Sequence, residues 1–280
     1  MASVLVTGCG TAFGKHTALL FGRHGHTVFA GVADRAAAGP MEAMAADEGI
    51  DVRVLVVDQL DPAAVAAAVA EAEAVAGGAL DVVVNNPGIG LKGPIETSSD
   101  DEVRALFEQN VYGPIRVIRS VLPAMREHGA GVIVNVSSIA GLVARPYGGI
   151  YSATKHALEA ITEALHHELR PFGIRVALVE PGQFETELVA DSTPEAGFDA
   201  SSPYWESSAR FDTAIRRLIP DGRPMPAEVV AETIVAVAFD TGAGLRHVVG
   251  ADAELVMSIR NAGSFEHYDK TIRDALDWTD

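Results

Sequence analysis

The chain has 280 residues, 48% of them hydrophobic and 21% charged, with a net charge of −17. That length and apolar content suffice for one large core, while the acidity excludes a basic nucleic-acid face and fits a solvated surface. With one cysteine, Cys9, the chain closes no internal disulfide, and no apolar run nears the ~20 residues of a membrane span. The opening Met1-Ala2-Ser3-Val4-Leu5-Val6 is too short for a signal peptide before the glycines begin. A cytoplasmic protein is expected, partnered by neither nucleic acid nor membrane.

Strands and helices alternate along the chain. Val4-Leu5-Val6 reads as a first strand, followed by a helix over about 14–24 that Gly25 stops. Thr27–Val32 and Val52–Val57 read as the second and third strands. Asp61-Pro62 starts a helix with proline in its first turn. Leu80–Asn85 reads as the fourth strand, and a long helix is predicted from about Ser99 to His128. Gly131–Val136 is the fifth strand. A helix carrying Tyr151 runs to about Arg170, closed by Pro171 and Gly173, and Ile174–Val179 is the sixth strand. A helix over 227–239, a strand over 247–249 and a tail helix over 264–276 complete the series. Several strands are continuous apolar runs, as in a parallel sheet covered on both faces. The pattern predicts an α/β fold: a doubly wound parallel sheet of about seven strands with helices on both faces, in a single domain. Its first 90 residues would mainly bind a dinucleotide. Residues 187–226 break the alternation with five prolines and the aromatics Phe198, Tyr204, Trp205 and Phe211, which reads as a packed lid.

The most informative spacing is Tyr151-Ser152-Ala153-Thr154-Lys155, with Ser138 upstream. Positions i and i+4 share a helix face, so a phenol and an ammonium lie together. The ammonium favours the phenolate, and a nearby hydroxyl can hold a substrate oxygen. That set suits proton transfer at an alcohol or carbonyl oxygen. Asn110, unfavourable inside a long helix, is expected to hold a kink and a water that relays protons to Lys155. His166 and His167, being adjacent, are expected to point apart, and no metal site is read here.

The first strand runs into Thr7-Gly8-Cys9-Gly10-Thr11-Ala12-Phe13-Gly14. Such glycines let backbone amides approach a pyrophosphate at a helix N-terminus. The second strand ends in Val32-Ala33-Asp34-Arg35. Asp34 would accept the ribose 2′-hydroxyl of NAD, whereas Arg35 beside it would suit the 2′-phosphate of NADP, or both are plain loop residues; the balance leans to NAD(H) over NADP(H). Asp58 and Gln59 follow the third strand, where the Asp58 side chain could take the adenine. Asn85-Asn86-Pro87-Gly88 follows the fourth; Asn85 either braces the sheet edge or meets the cofactor.

These residues together resemble the short-chain dehydrogenase/reductase family over nearly the whole chain. The stretch Thr7–Gly14 is similar to its cofactor loop, and Asn85-Asn86-Pro87-Gly88 to its Asn-Asn-Ala-Gly motif. Asn110, Ser138, Tyr151 and Lys155 match its catalytic tetrad in order and spacing. Pro181-Gly182-Gln183-Phe184-Glu185-Thr186 resembles its Pro-Gly motif, which places Thr186 at the nicotinamide amide. Ala12 and Pro87 depart from the family pattern beside the cofactor. The resemblance implies a Rossmann-type fold and an NAD(P)-dependent exchange between a secondary alcohol and a ketone. Tyr151 would be the general acid/base, Ser138 the group that orients the substrate oxygen, and Lys155 the cation that lowers the Tyr151 pKa and bonds the nicotinamide ribose. A pocket lined by Ala140, Leu142, Val143, Tyr147, Phe184, Leu188, Tyr204 and Trp205 would favour a fairly apolar, steroid-, terpenoid- or polyketide-like alcohol or ketone. The two alternatives are an epimerase or dehydratase on the same fold and a non-catalytic dinucleotide sensor. The resemblance also implies a homodimer or homotetramer joined through the long helix and the Tyr151 helix, which carries Ala157, Ala160, Ile161 and Ala164.

Overall fold

Short runs of β-branched residues build the sheet. The computed structural model describes residues 1–86, 88–184, 193–194 and 198–278. Its strands are β1 (Ser3–Val6), β2 (Thr27–Val32), β3 (Val52–Val56), β4 (Val82–Asn85), β5 (Leu91–Lys92), β6 (Gly131–Val136), β7 (Ile174–Pro181), β8 (Thr193–Pro194) and β9 (Arg246–Val249). Seven of them form one parallel sheet in the order β3-β2-β1-β4-β6-β7-β9, and β5 pairs separately with β8. Alternate residues of each strand face opposite layers. Val4, Val6, Val28, Ala30, Val82, Val84 and Val134 enter one core, while Leu5, Phe29, Val83, Ile133 and Val176 enter the other. This two-sided burial explains why the strands read as unbroken apolar runs.

The helices are α1 (Ala12–Arg23), α2 (Ala38–Asp47), α3 (Pro62–Ala76), α4 (Asp100–Phe107), α5 (Gly113–His128), α6 (Gly149–Leu169), α7 (Trp205–Ile215), α8 (Glu228–Phe239), α9 (Ala251–Asn261) and α10 (Phe265–Leu276). Their starts follow local chemistry. Asp61 accepts a hydrogen bond from Ala63 N at 2.8 Å to cap α3, and Ser99 with Glu102 forms a reciprocal cap on α4. Neither α2 nor α9 is in the sequence reading, because the alanine-rich α2 has no sharp apolar face and α9 adjoins a strand directly. The single helix predicted from Ser99 to His128 is interrupted. A π-helical turn, Glu108–Tyr112, separates α4 from α5 and widens the helix at Asn110. No helix among the described residues is long and apolar enough to cross a membrane.

Two polar assemblies are buried in this packing. In the first, Asn85 Nδ2 donates to Asn135 Oδ1 and Asn135 Nδ2 donates to Thr162 Oγ1, both at 2.9 Å, joining β4, β6 and α6. All three side chains are fully buried, so each bond replaces water that cannot reach it. Asn85, the last residue of β4, therefore turns its amide to β6 and into the packing beneath α6.

In the second assembly, Arg246 on β9 reaches Glu159 at 3.0 Å and Glu163 at 2.9 Å on α6, and lies 3.6 Å from Glu180 on β7. Burial, then the charge of Glu159, pushes the Glu180 pKa up to about 8, against a bond from His247 N and the field of Arg246. Unfolded, the group titrates near 4.5. Between those values the folded chain holds a proton that the unfolded chain has released, so stability falls as pH rises through that window.

Two outcomes are expected. Asn135→Ala strands the buried Asn85 amide without a partner and leaves Thr162 bonded to Leu158 O alone, which costs about 1–3 kcal/mol in denaturant unfolding; a loss under about 0.5 kcal/mol would show that the buried chain is unimportant. Glu180→Gln removes one source of alkaline destabilisation. The melting temperature of the variant should fall less between pH 5 and pH 8 than that of the parent, by roughly 2–4 °C for each ~1 kcal/mol. Identical slopes contradict the buried proton.

Candidate active site

The site lies where the winding of the sheet reverses, between β1 and β4, a place where parallel sheets open a crevice at their strand ends. Thr7 N donates to Val84 O at 2.9 Å and Cys9 N to Gly31 O at 2.9 Å, so the loop after β1 leaves the sheet tied to both neighbouring strands. Gly8 has φ +68°, and a Cβ there would sit 2.1 Å from Asn86 O; a Cβ on Gly14 would sit 2.3 Å from Gly8 O. Only glycine allows that turn and that approach. Thr11 caps α1 and its hydroxyl donates to Gly8 O at 2.9 Å. Asn86 Nδ2 donates to Thr11 Oγ1 at 2.9 Å. Asn86, unlike Asn85, is the residue that braces the loop. Around Gly10 the space is open. A bare backbone loop beside an open space, capped by a helix N-terminus with partial positive charge, fits a pyrophosphate.

At the end of β2, Asp34 accepts a bond from Ala37 N at 2.9 Å, and Arg35 pairs with Glu42 at 3.1 Å. After β3, Asp58 accepts from Leu60 N at 3.0 Å. Gln59 is buried against Gly113, with its carbonyl held by Arg116 at 2.9 Å. On the far side of the loop Phe13 meets Phe184 edge to face, with ring centroids 5.8 Å apart. The Pro181-Gly182-Gln183-Phe184 turn is pinned by a residue that sequence reading missed. Asp252, in the first turn of α9, accepts from Gln183 N at 2.8 Å and packs on Gly182. Pro87, Thr186 and Leu188 lie outside the described residues, as do residues 187–192 and 195–197 of the stretch read as a lid.

Ser138, Tyr151, Lys155 and Asn110 converge at the ends of β6 and β4. Ser138 caps a single turn, Ile139–Gly141, through a bond from Ala140 N at 3.1 Å. Burial raises the Tyr151 pKa above the ordinary phenol value, while a hydrogen bond with Ser138 and the field of Arg145 oppose that rise. Lys155 is 2% exposed. Its Nζ donates to Val136 O at 3.0 Å and lies 5.8 Å from the Tyr151 ring centroid. Burial pulls its own pKa down to about 8, against the field of Glu159. In the ligand-free chain burial is the largest influence on Tyr151, and the charge that opposes it most is that of Arg145.

Asn110 sits in the π-helical turn. Its Oδ1 accepts from Ile89 N at 3.2 Å, and its Nδ2 donates to Ile89 O at 3.0 Å and to Thr154 Oγ1 at 3.2 Å. A π-helical turn stands where a kink was expected, and Asn110 ties the loop after β4 to the helix that carries Tyr151. His166 and His167 do not point apart: their rings meet edge to face at 5.4 Å. No group of three metal-ligating side chains occurs among the described residues.

On the side of the site read as the substrate pocket, Ala140 is buried and Leu142 and Val143 are half-buried. Tyr147, at φ +55°, packs with Phe211 of α7 and with Trp278 near the chain end. α7 is clamped by two polar pairs, Lys92 with Asp212 and Tyr204 with Glu96. Trp205 stacks at an angle on Phe198 at 5.4 Å and stays 40% exposed, on the outside of this cover. Nothing in the sequence signalled that residues after α10 would close the same cluster.

A family model for the short chain dehydrogenases matches residues 2–197. A 3-ketodihydrosphingosine reductase of Bacteroides thetaiotaomicron is 38% identical over 183 residues, 65% of this chain and 64% of that protein, so the match spans a little under two thirds of that relative's length. Retinol dehydrogenase 8 of Bos taurus is 33% identical over 243 residues, 84% of this chain and 77% of that protein. The crystal structure of a short-chain dehydrogenase from Streptomyces avermitilis superposes with a TM-score of 0.79 at 32% identity, covering 99% of this chain and 97% of the other. The family match takes in both the glycine loop and the Tyr151–Lys155 helix, and the chain belongs to the short-chain dehydrogenase family of oxidoreductases.

Proposed function

We propose that this protein interconverts a secondary alcohol and a ketone with NAD as cofactor, acting on a fairly apolar substrate. The observation that carries the reading is the buried Lys155 beside the Tyr151 ring on one face of α6, with Ser138 close enough to Tyr151 to oppose its raised pKa. Gly8, Gly10, Thr11 and Gly14 would hold the pyrophosphate, with Asp34 at the adenosine ribose. Bound there, the nicotinamide supplies the hydride acceptor in oxidation and the donor in reduction.

The chain's own residues handle the proton. In oxidation Tyr151, as phenolate, takes the proton of the alcohol oxygen. Ser138 holds that oxygen through its hydroxyl, and Lys155 supplies the positive charge that the phenolate requires in a desolvated setting. Reduction returns the proton from the phenol to the carbonyl oxygen. Asn110 keeps the Tyr151 helix and the Ile89 loop in one fixed relation. Ala140, Leu142, Val143 and Tyr147 offer an apolar wall. Two relatives are named for acting on apolar molecules, retinol and 3-ketodihydrosphingosine, which supports that substrate class. NAD is favoured because Asp34 keeps an exposed carboxylate at the end of β2 while Arg35 is engaged by Glu42.

Tyr151→Phe should cut turnover of an apolar secondary alcohol at least about a hundredfold while dinucleotide binding stays within about twofold of the parent. Retained turnover would sink the acid/base role of Tyr151. Titration by nicotinamide fluorescence should show NADH binding at least about tenfold tighter than NADPH, a difference of about 1.4 kcal/mol. Tighter NADPH binding would reassign the end of β2 to the 2′-phosphate, through Arg35.

A further inference from the structure

Behind Lys155 the helix α6 buries a second charged group. Glu159 stands four residues on, on the same helix face, and is 4% exposed. Its Oε2 is held by Arg246 at 3.0 Å. Its Oε1 is buried beside Ser137. The backbone of Gly141 closes over it: a Cβ there would lie 3.0 Å from Glu159 Cγ and 2.7 Å from Ser137 Oγ.

We propose that Glu159 is a positioning residue of this site: a carboxylate, anchored by Arg246 one helical turn behind Lys155, whose negative charge keeps the Lys155 side chain protonated. The inference rests on the roles given above to Tyr151 and Lys155. The charged groups around Lys155 support it. On α6 these are Tyr151, Glu159 and Glu163; Arg246 faces them from β9, Glu180 from β7, and Arg145 from the segment between β6 and α6. Lys92 on β5 is engaged by Asp212, and Glu108 in the π-helical turn by Arg116. Of these, Glu159 is the one whose field holds the proton on Lys155, while burial works to remove it. Without that field burial alone would act on Lys155, and burial favours the neutral amine, which offers the phenolate no charge.

The chain contains four lysines, Lys15, Lys92, Lys155 and Lys270, so the Cε signals of protein labelled with 13C at lysine can be followed one by one, with Lys155→Met giving the assignment. In the ligand-free parent and in Glu159→Gln, the Lys155 midpoint should differ by about one pH unit or more, lower in the variant. Glu159→Asp, which keeps the charge but retracts it by one methylene, should fall between. The alkaline limb of kcat against pH should move down by the same amount. A Lys155 midpoint unmoved in folded Glu159→Gln, as judged by circular dichroism, overturns the proposal. If that variant does not fold, the near-isosteric, uncharged Glu159→Met takes its place, and a Lys155 midpoint equal to the parent's overturns it equally. The nuclear resonance titration needs no turnover, so a failure of the alcohol–ketone reading would leave the midpoint shift in place and be told apart from a failure here.

Discussion

The grip of Asn86 on the loop after β1 is the constraint on which the rest depends. β1 and β4 are neighbours at the point where the sheet turns back on itself, and their ends must separate for a crevice to exist. Asn86 N bonds to Thr7 Oγ1 at 3.1 Å, and its side chain bonds to Gly8 O and Thr11 Oγ1. The loop is thereby folded back over the strand end, with glycine at the two positions where any side chain would collide. α1 then begins with its N-terminus facing the opening. Backbone amides and helix charge are presented at that spot because the turn is too tight to present anything else.

The opposite wall follows from what α6 must bury. That helix packs on β7 and on the turn that carries Ser138, and it brings Lys155, Glu159 and Thr162 into the interior along with its apolar residues. Burying a charge is costly unless it is paired. The chain meets that cost with Arg246, which reaches across from β9 to Glu159 and Glu163, and by leaving Glu180 protonated into the neutral range. The same desolvation lifts Tyr151 and lowers Lys155, so a stability cost and a chemical capacity share one cause.

Much of this was legible in the residues. The unbroken runs Val82–Asn85 and Gly131–Val136 announced buried parallel strands. The glycines after Val6 announced a close backbone approach. Tyr151 and Lys155 announced a shared face. Asn110 was conspicuous as an amide inside a predicted helix, and the structure answers with a π-helical turn whose extra width lets the side chain reach Ile89 and Thr154. Asn85 and Asn86 could not be told apart by reading, since adjacent residues on a strand end point to opposite sides and only the neighbours decide which side holds the loop. Arg145, Asp252 and Trp278 gave no local signal, because each acts on a partner distant in the chain.

What the sequence by itself determined is set by short range: strand and helix identity, the conformational demand of Gly8 and Gly14, and the one-turn separation of phenol and ammonium, all of which follow from periods of two and 3.6 residues. What only the tertiary structure decided is which charges those groups feel. Whether Lys155 depresses Tyr151, whether Glu159 or Arg145 sets the local field, and whether Glu180 keeps its proton all depend on desolvation and on distances between β6, β7, β9 and α6. Those quantities arise when separate elements close around one another and exclude water, and no periodicity along the chain encodes them.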